Sequence, residues 1–198
     1  VIANGVVLDL GVLVSEIETL KKAGIKLEGR LFISPRCHII MPYHKLLDNL
    51  FEEAKGKGKT GTTGRGIGPC YGDKVSYNGI RLADCFDKKT FEQKLETQLL
   101  IKNKILKSLG AKPLSKKDIE KQLLSLFKKI RTYISETYSL LQNAMERKKN
   151  ILLEGAQGVF LDNDWGTYPF VSASTSLSGG ITAGAGIAPS KIKKIIGV

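Results

Sequence analysis

A chain of 198 residues with 42% hydrophobic and 25% charged residues has apolar content enough for one sizeable core, which excludes intrinsic disorder. No window approaches the roughly 18 apolar residues of a membrane span. Three cysteines (Cys37, Cys70 and Cys85), odd in number and without C-x-x-C spacing, exclude a disulfide framework and a zinc site and fit a reducing cytoplasm, while a formal charge of +12 raises the question of a nucleic-acid partner.

The chain opens V-I-A-N-G-V-V-L, without an initiator Met or a leader pattern, as though inside a domain. Residues 6–8 read as a strand end. A helix is expected over 11–23, with Leu13, Ile17 and Leu20 on one face and Gly24 placed to stop it. Short strands over 31–33 and 39–41 flank a turn at Pro35, and 43–54 reads as a second helix. This alternation is the pattern of an α/β fold with a mostly parallel central sheet flanked by helices. His38 and His44 lack H-E-x-x-H spacing and a third ligand, so they read as packing residues, and no metal site is expected. The Gly-rich stretch 56–72 that follows is too long for a simple connector.

Two long helices are expected next, over 88–109 and 115–148, separated by the turn G-A-K-P. Ser115 with Asp118 resembles a capping box at the start of the second. Ile119, Leu123, Phe127, Ile130, Ile134 and Leu141 recur at helical spacing, which indicates packing. The pair is read as a long antiparallel helical hairpin, 88–149, covering the sheet. Those residues hold 14 Lys and 2 Arg against 6 Asp and Glu, a net +10 that accounts for nearly all the excess charge. The lysines are spread around the helix faces with few aromatics among them, so a solvated surface explains them and nucleic-acid binding is not expected. The run N-I-L-L-E at 150–154 then reads as a buried strand. It delivers a second Gly-bearing loop at its C-terminal end, where ligands bind in open α/β sheets. Residues 191–198 read as a basic stretch entering a strand, I-I-G-V. Both ends are thus expected to lie inside elements of a longer chain, with 1–198 belonging to a single domain.

The loop G-T-T-G-R-G-I-G-P (61–69) has four glycines in eight residues, so its backbone can present successive N–H groups to an anion without a Cβ in the way. Thr62 and Thr63 add hydroxyls, and Arg65 adds a planar fork suited to phosphate or carboxylate. A Walker A reading fails because Glu53 stands where its first Gly belongs. A dinucleotide fingerprint fails because its last Gly falls on Pro69 or Tyr71. In the second loop, E-G-A-Q-G-V-F-L-D-N-D-W-G-T-Y-P-F-V-S (154–172), Gln157 carries donors and an acceptor able to read a purine edge.

The strings G-T-T-G-R-G-I-G-P-C-Y-G-D-K (61–74), G-I-R-L-A-D-C-F (79–86), E-G-A-Q-G (154–158), G-T-Y-P (166–169) and S-G-G-I-T-A-G-A-G-I-A-P (178–189), in this order, resemble the adenylosuccinate synthetase family. The resemblance covers the whole chain and implies the central portion of that P-loop-like fold, without either end. It implies a GTP-dependent ligase of purine biosynthesis that joins IMP to L-aspartate through 6-phosphoryl-IMP. It further implies GTP as co-substrate, Mg2+ held by residues outside this chain, a cytoplasmic homodimer, and no catalytic residue in this segment, which alone is expected to be inactive. By motif position Thr63 and Ser172, where the family usually has Thr, would bind the IMP 5′-phosphate, and Gln157 would hydrogen-bond the hypoxanthine edge near O6. Tyr77 stands where the family has an Arg that reaches the partner subunit's IMP phosphate, with Arg65, Lys74 and Arg81 as further anion or dimer-interface contacts. Trp165 replaces the family's usual His. Tyr77 and the +10 segment also motivate an alternative: a non-catalytic nucleotide- or nucleic-acid-binding protein retaining the IMP pocket.

Overall fold

Among the described residues, 1–197, the computed structural model places seven α-helices around one short parallel strand pair. Strand β1 (Val7–Leu8) pairs in parallel with β2 (His38–Ile39), Val7 opposite His38 and Leu8 opposite Ile39. Single parallel bridges extend the layer, joining Ile2 to Ile33 and Ile33 to Ile134, and an antiparallel bridge joins His38 to Arg81. The sheet is therefore α/β in connectivity but rudimentary in extent.

Asp9 starts helix α1 (Leu10–Lys22) by accepting from the N–H groups of Gly11 and Val12, a cap worth about 1 kcal/mol. Gly24, at φ 80°, ends it with its N–H on the Lys21 carbonyl. Helix α2 (Pro42–Ala54) begins on Pro42, whose fixed φ and missing N–H suit a first turn. The expected loop 56–72 is only half a loop. Its front carries a tight turn at Gly56–Gly58, and its back half is helix α3 (Ile67–Val75), which runs through Pro69 because proline is tolerated in a first turn.

Helix α4 (Lys88–Ser108) is capped by Asp87, and α5 (Lys116–Ile130) by Ser115. Only the serine half of the expected capping box is formed among the described residues. The two helices run antiparallel. Asn103 holds both the N–H and the carbonyl of Leu114 across the turn, and Lys116 meets Glu96 at 2.6 Å. The second long helix stops eighteen residues short of expectation, at Ile130 rather than 148. The cause is the sheet: Ile33 donates to the Tyr133 carbonyl at 2.8 Å and Ser135 donates to Ile33 at 3.0 Å, which pulls Ile134 out of helical conformation. Glu136 then caps a separate helix α6 (Thr137–Glu146) while its carboxylate takes both bonds from one Arg36 nitrogen at 2.7 Å.

The main core joins α1, the sheet layer, α4 and α5. Ile33, Ile39, Met41, Tyr43, Leu82, Phe91, Leu95 and Ile130 lose essentially all contact with solvent there. A smaller cluster gathers Leu141, Ala185 and Ile187 around helix α7 (Ser178–Ala185), with Ile151 and Leu153 against it. Residues 150–154 form no strand among the described residues. Ile151 and Leu153 turn inward, but Leu152 is 87% exposed, so the run is a one-sided edge rather than a doubly buried strand. Residues 192–197 are likewise without strand pairing, and Val198, the last residue of that expected strand, lies outside the described residues. No helix is long and apolar enough to cross a membrane. Several hairpin lysines are engaged locally, Lys88 with Glu92 and Glu120, Lys94 with Asp84, and Lys129 with Glu18.

Candidate functional site

The glycine loop is tied down by two carboxylates one turn apart on α2. Asp48, buried, accepts from the Thr62 hydroxyl at 2.9 Å and from the Gly66 N–H at 2.8 Å. Glu52 accepts from the Thr60 hydroxyl at 2.6 Å, the Thr60 N–H at 3.0 Å and the Gly61 N–H at 2.8 Å, with Lys55 at 2.6 Å. The Lys55 ammonium and the Thr60 hydroxyl pull the Glu52 carboxyl down to about 2, so it is ionised throughout the physiological range. Gly66 makes the closest approach. At φ 78°, a Cβ there would lie 2.8 Å from the Lys45 nitrogen and 2.9 Å from the His44 carbonyl carbon, so only glycine lets the loop lie flat on α2.

The hydrogen bonds so committed define what is left for a ligand. Among the described residues, no hydrogen bond engages the backbone N–H of Thr63, Arg65, Ile67 or Gly68, or the Thr63 hydroxyl. Thr63, Arg65 and Gly68 are exposed. These donors cluster where the loop becomes the first turn of α3, whose dipole adds positive potential. The arrangement can accept an anion, and Asp48 and Glu52 hold it open.

Behind the loop, α3 is locked to α2 and α4 through one buried carboxylate. Asp73 meets His44 Nε2 at 2.8 Å and also pairs with Lys102, while His44 Nδ1 accepts from the Met41 N–H at 2.9 Å. That acceptance places the imidazole proton on Nε2, facing Asp73. Burial opposes the Asp73 charge, but the bonds from His44 and Lys102 more than offset it and hold its carboxyl below the ordinary range. Burial dominates for His44 and lowers its pKa despite Asp73. His44 is thus a neutral structural linker, in keeping with its reading as a packing residue. His38 is buried too, and burial, with the Arg81 and Lys74 charges, brings it down to about 4.

Tyr77 is 97% exposed at φ 66°, at the tip of the turn after α3. Lys74 is half-buried below it, its ammonium 5.0 Å from the centre of the Tyr71 ring and 3.4 Å from the Gly5 carbonyl. Burial and Arg81 together lower the Lys74 pKa. Arg81 is exposed, its N–H held by Asp84 at 2.8 Å. Lys74, Tyr77 and Arg81 therefore lie along one segment bearing two positive charges. Arg65 belongs instead to the glycine loop.

The second loop is organised by Asp162. Buried to 1% exposure, it takes the N–H groups of Asp164, Trp165 and Ser176, at 3.1, 3.2 and 2.8 Å. Burial works against its charge, but these backbone donors, with that of Leu177, bring its carboxyl below the ordinary value. The Ser172 N–H donates to the Leu161 carbonyl at 2.7 Å, closing the loop on itself. Ser172 Oγ then lies 3.0 Å from Ser174 Oγ, which donates to Gln157 Oε1 at 3.2 Å. Gln157 and Ser172 are thus brought together through Ser174. No hydrogen bond joins either to Thr63 among the described residues. Gln157 and Trp165 are exposed, Trp165 by 74%.

Asp48, Glu52, Asp73, Asp162 and Ser174 are not among the site residues expected from the sequence. For the first two a signal exists: the D-x-x-x-E spacing puts both carboxylates on one helical face just before a glycine loop. Among the described residues no group of three or more His, Cys, Asp or Glu side chains is arranged to hold a metal ion. All three cysteines are free and buried, and burial pushes each thiol up to about 12.

Comparison with known proteins agrees with the motif order. A family model described as adenylosuccinate synthetase matches residues 1–198. The adenylosuccinate synthetases of Acetivibrio thermocellus and Heliobacterium modesticaldum are 45% and 47% identical over 199 residues, covering 100% of this chain and 47% and 46% of their own length. The structure of fully ligated adenylosuccinate synthetase from Plasmodium falciparum superposes with a TM-score of 0.84 at 31% identity, over 96% of this chain and 44% of that one. The chain therefore spans about half the length of the relatives it matches.

Proposed function

This chain belongs to the adenylosuccinate synthetase family, and we propose that its two glycine-bearing loops supply part of the IMP site of a GTP-dependent ligase of purine biosynthesis. In that reaction the γ-phosphate of GTP passes to O6 of IMP. The amino group of L-aspartate then attacks C6, the C6–O bond breaks, and inorganic phosphate leaves with the electron pair. The role proposed for this segment is to hold and orient IMP, with residues 1–198 as the central part of one domain.

The observation that carries the reading is the set of unengaged donors at 63–68. With Asp48 and Glu52 consuming the inward-facing groups, the Thr63 hydroxyl and the N–H groups of Thr63, Arg65, Ile67 and Gly68 suit a phosphate. Gln157 offers an amide to the base, and Ser172 a second hydroxyl to the phosphate. The Lys74–Arg81 segment, with Tyr77 at its tip, is proposed to face a second subunit across a two-fold axis and contribute to that subunit's phosphate site. Magnesium is implied by the family resemblance, no group of three or more His, Cys, Asp or Glu side chains among the described residues is arranged to hold a metal ion, and the chemistry assigned to this segment is binding and orientation alone. GTP and L-aspartate are assigned to parts of the family's chain outside it, and the location proposed is the cytoplasm.

Calorimetric titration of IMP into a protein of full family length carrying this segment tests the reading. Thr63→Ala removes one hydrogen bond to a charged group, worth about 1.5–3 kcal/mol, so the dissociation constant should rise at least tenfold. An unchanged constant would remove the phosphate from this loop.

A further inference from the structure

Three polar side chains of α2, His44, Asp48 and Glu52, stand at successive i, i+4 positions and so form one stripe along the helix. Each grips a different piece of the glycine loop and of the helix behind it. Glu52 holds Thr60 and Gly61, Asp48 holds Thr62 and Gly66, and His44 holds Asp73 in the last turn of α3. The first two grips set the path of the loop. The third is buried at both ends and lies beyond it. Its polarity is fixed by the backbone: the Met41 N–H occupies His44 Nδ1, so Nε2 carries the proton that the Asp73 carboxylate accepts.

The peptide N–H groups of a helix lie nearly parallel to its axis and point towards its start. The free donors of Ile67 and Gly68 are therefore aimed wherever the axis of α3 is aimed. Two points on α2 fix that line. One is Gly66, held by Asp48 at 2.8 Å and lying flat on His44 and Lys45; the other is Asp73, held by His44 at 2.8 Å. Cys70 and Tyr71 reach the carbonyls of Ile39 and Gly5, at 3.6 and 3.1 Å, and so hold α3 to the sheet layer rather than to α2. Seven residues of helix separate the two points on α2, about 10 Å, so a slip of ~2–3 Å at Asp73 swings the axis and both donors by roughly 10–20°.

We propose that Asp73 is a positioning residue for the phosphate of the nucleotide: gripped by His44, it sets the axis of α3 and with it the aim of the Ile67 and Gly68 donors. The inference rests on the IMP reading of the loop and deepens it, because neither His44 nor Asp73 touches the ligand.

The test compares dissociation constants of IMP and of inosine, the same nucleoside without its phosphate, for a protein of full family length carrying this segment and for three variants. Asp73→Ala removes the acceptor. His44→Leu removes the donor, fills similar space and leaves Asp73 paired with Lys102. Asp73→Asn keeps a carbonyl for His44 and gives up only the charge. Both cuts should lower the IMP-over-inosine preference by roughly five- to tenfold, the weakening of about one charged hydrogen bond. Asp73→Asn should retain the preference although its urea midpoint falls, since the ion pair with Lys102 is lost. A merely structural role would make the preference follow stability and fall in Asp73→Asn as well. That result overturns the proposal, and so does a preference unmoved in Asp73→Ala and His44→Leu. Cutting the link from both sides keeps the test decisive if one variant does not fold. If the unaltered protein prefers IMP and the cuts leave that preference intact, only the role of Asp73 falls. If the unaltered protein binds IMP no better than inosine, the loop is not a phosphate site, and the reading of the pocket fails together with the proposal.

Discussion

Replacing Asp48 by Ala removes the acceptor on which the glycine loop is hung. Two groups lose their partner: the Thr62 hydroxyl, which can turn to water, and the Gly66 N–H, which is buried against α2 and cannot. Hydrogen bonds to a charged group contribute about 1.5–3 kcal/mol each, and a buried donor left unpaired costs about 1–3 kcal/mol. Taking a buried carboxylate away also relieves its own desolvation, so the net loss should be about 2–4 kcal/mol rather than the full sum. Asp48→Asn is the internal comparison. Its carbonyl can accept from Gly66 while its NH2 donates to Thr62, so only charge assistance is lost, about 1 kcal/mol. Urea denaturation followed by circular dichroism gives both numbers, and amide exchange at Gly66 reports the loop itself. Should Asp48→Ala stay within about 0.5 kcal/mol of the parent, with exchange at Gly66 unchanged, the loop holds its shape without the carboxylate and the account of the free donors at 63–68 loses its basis.

The exposed Tyr77 tip should accept a charge without structural cost, so if the proposed two-fold assembly holds, Tyr77→Arg in a protein of full family length is expected to tighten IMP by about 1–3 kcal/mol, the range of one charged hydrogen bond. Equal dissociation constants at matched salt and protein concentration would mean that Lys74 or Arg81 already serves that phosphate. Stability should fall with acid through the two buried histidines. Both have folded pKa values below the ordinary imidazole value, His38 at about 4, so the unfolded chain takes up protons first. Their contribution is present above pH of about 6.5 and is lost as pH falls towards about 4, by up to about 1.4 kcal/mol per pH unit for each histidine. Asp73, held below its ordinary value in the fold, adds to the decline only at the acid end of the window, where the unfolded carboxyl begins to protonate. Urea midpoints at several pH values between 7.5 and 4.5 should trace this decline, and His38→Gln should make it shallower. A profile flat across the window would show that neither imidazole resists protonation in the fold.

Local chemistry makes several elements legible in the sequence alone. Asp9 and Gly24 bracket α1 within a residue of expectation, and Asp87, Ser115 and the Asn103 clasp suit a hairpin whose turn carries Gly and Pro. The break after Ile130 is not legible, because its cause is Ile33, some hundred residues away, and the helical spacing runs straight through it. The same holds for 150–154, where apolar composition suggests a strand but pairing requires a neighbour that composition cannot name. At the site, the glycine loop announces an anion through its residue types. Gln157 is noticed for its carboxamide and gains a role only through its family motif, while its left-handed backbone and the bond it accepts from Ser174 exist only in three dimensions.

The hairpin departs from the sheet at Arg81, beside His38, and returns at Ile134, beside Ile33, so both its ends are moored to neighbouring points of one stretch of backbone. Everything between them is an excursion whose far turn, at Gly110 (φ 76°), lies at the opposite end from those moorings. Such a geometry decouples the length of the arm from the placement of the two glycine-bearing loops. Insertions, deletions or a reporter grafted at residues 110–113 change the arm without moving its foot, which makes that turn a natural place for lineages to diverge and for an experimenter to attach a probe.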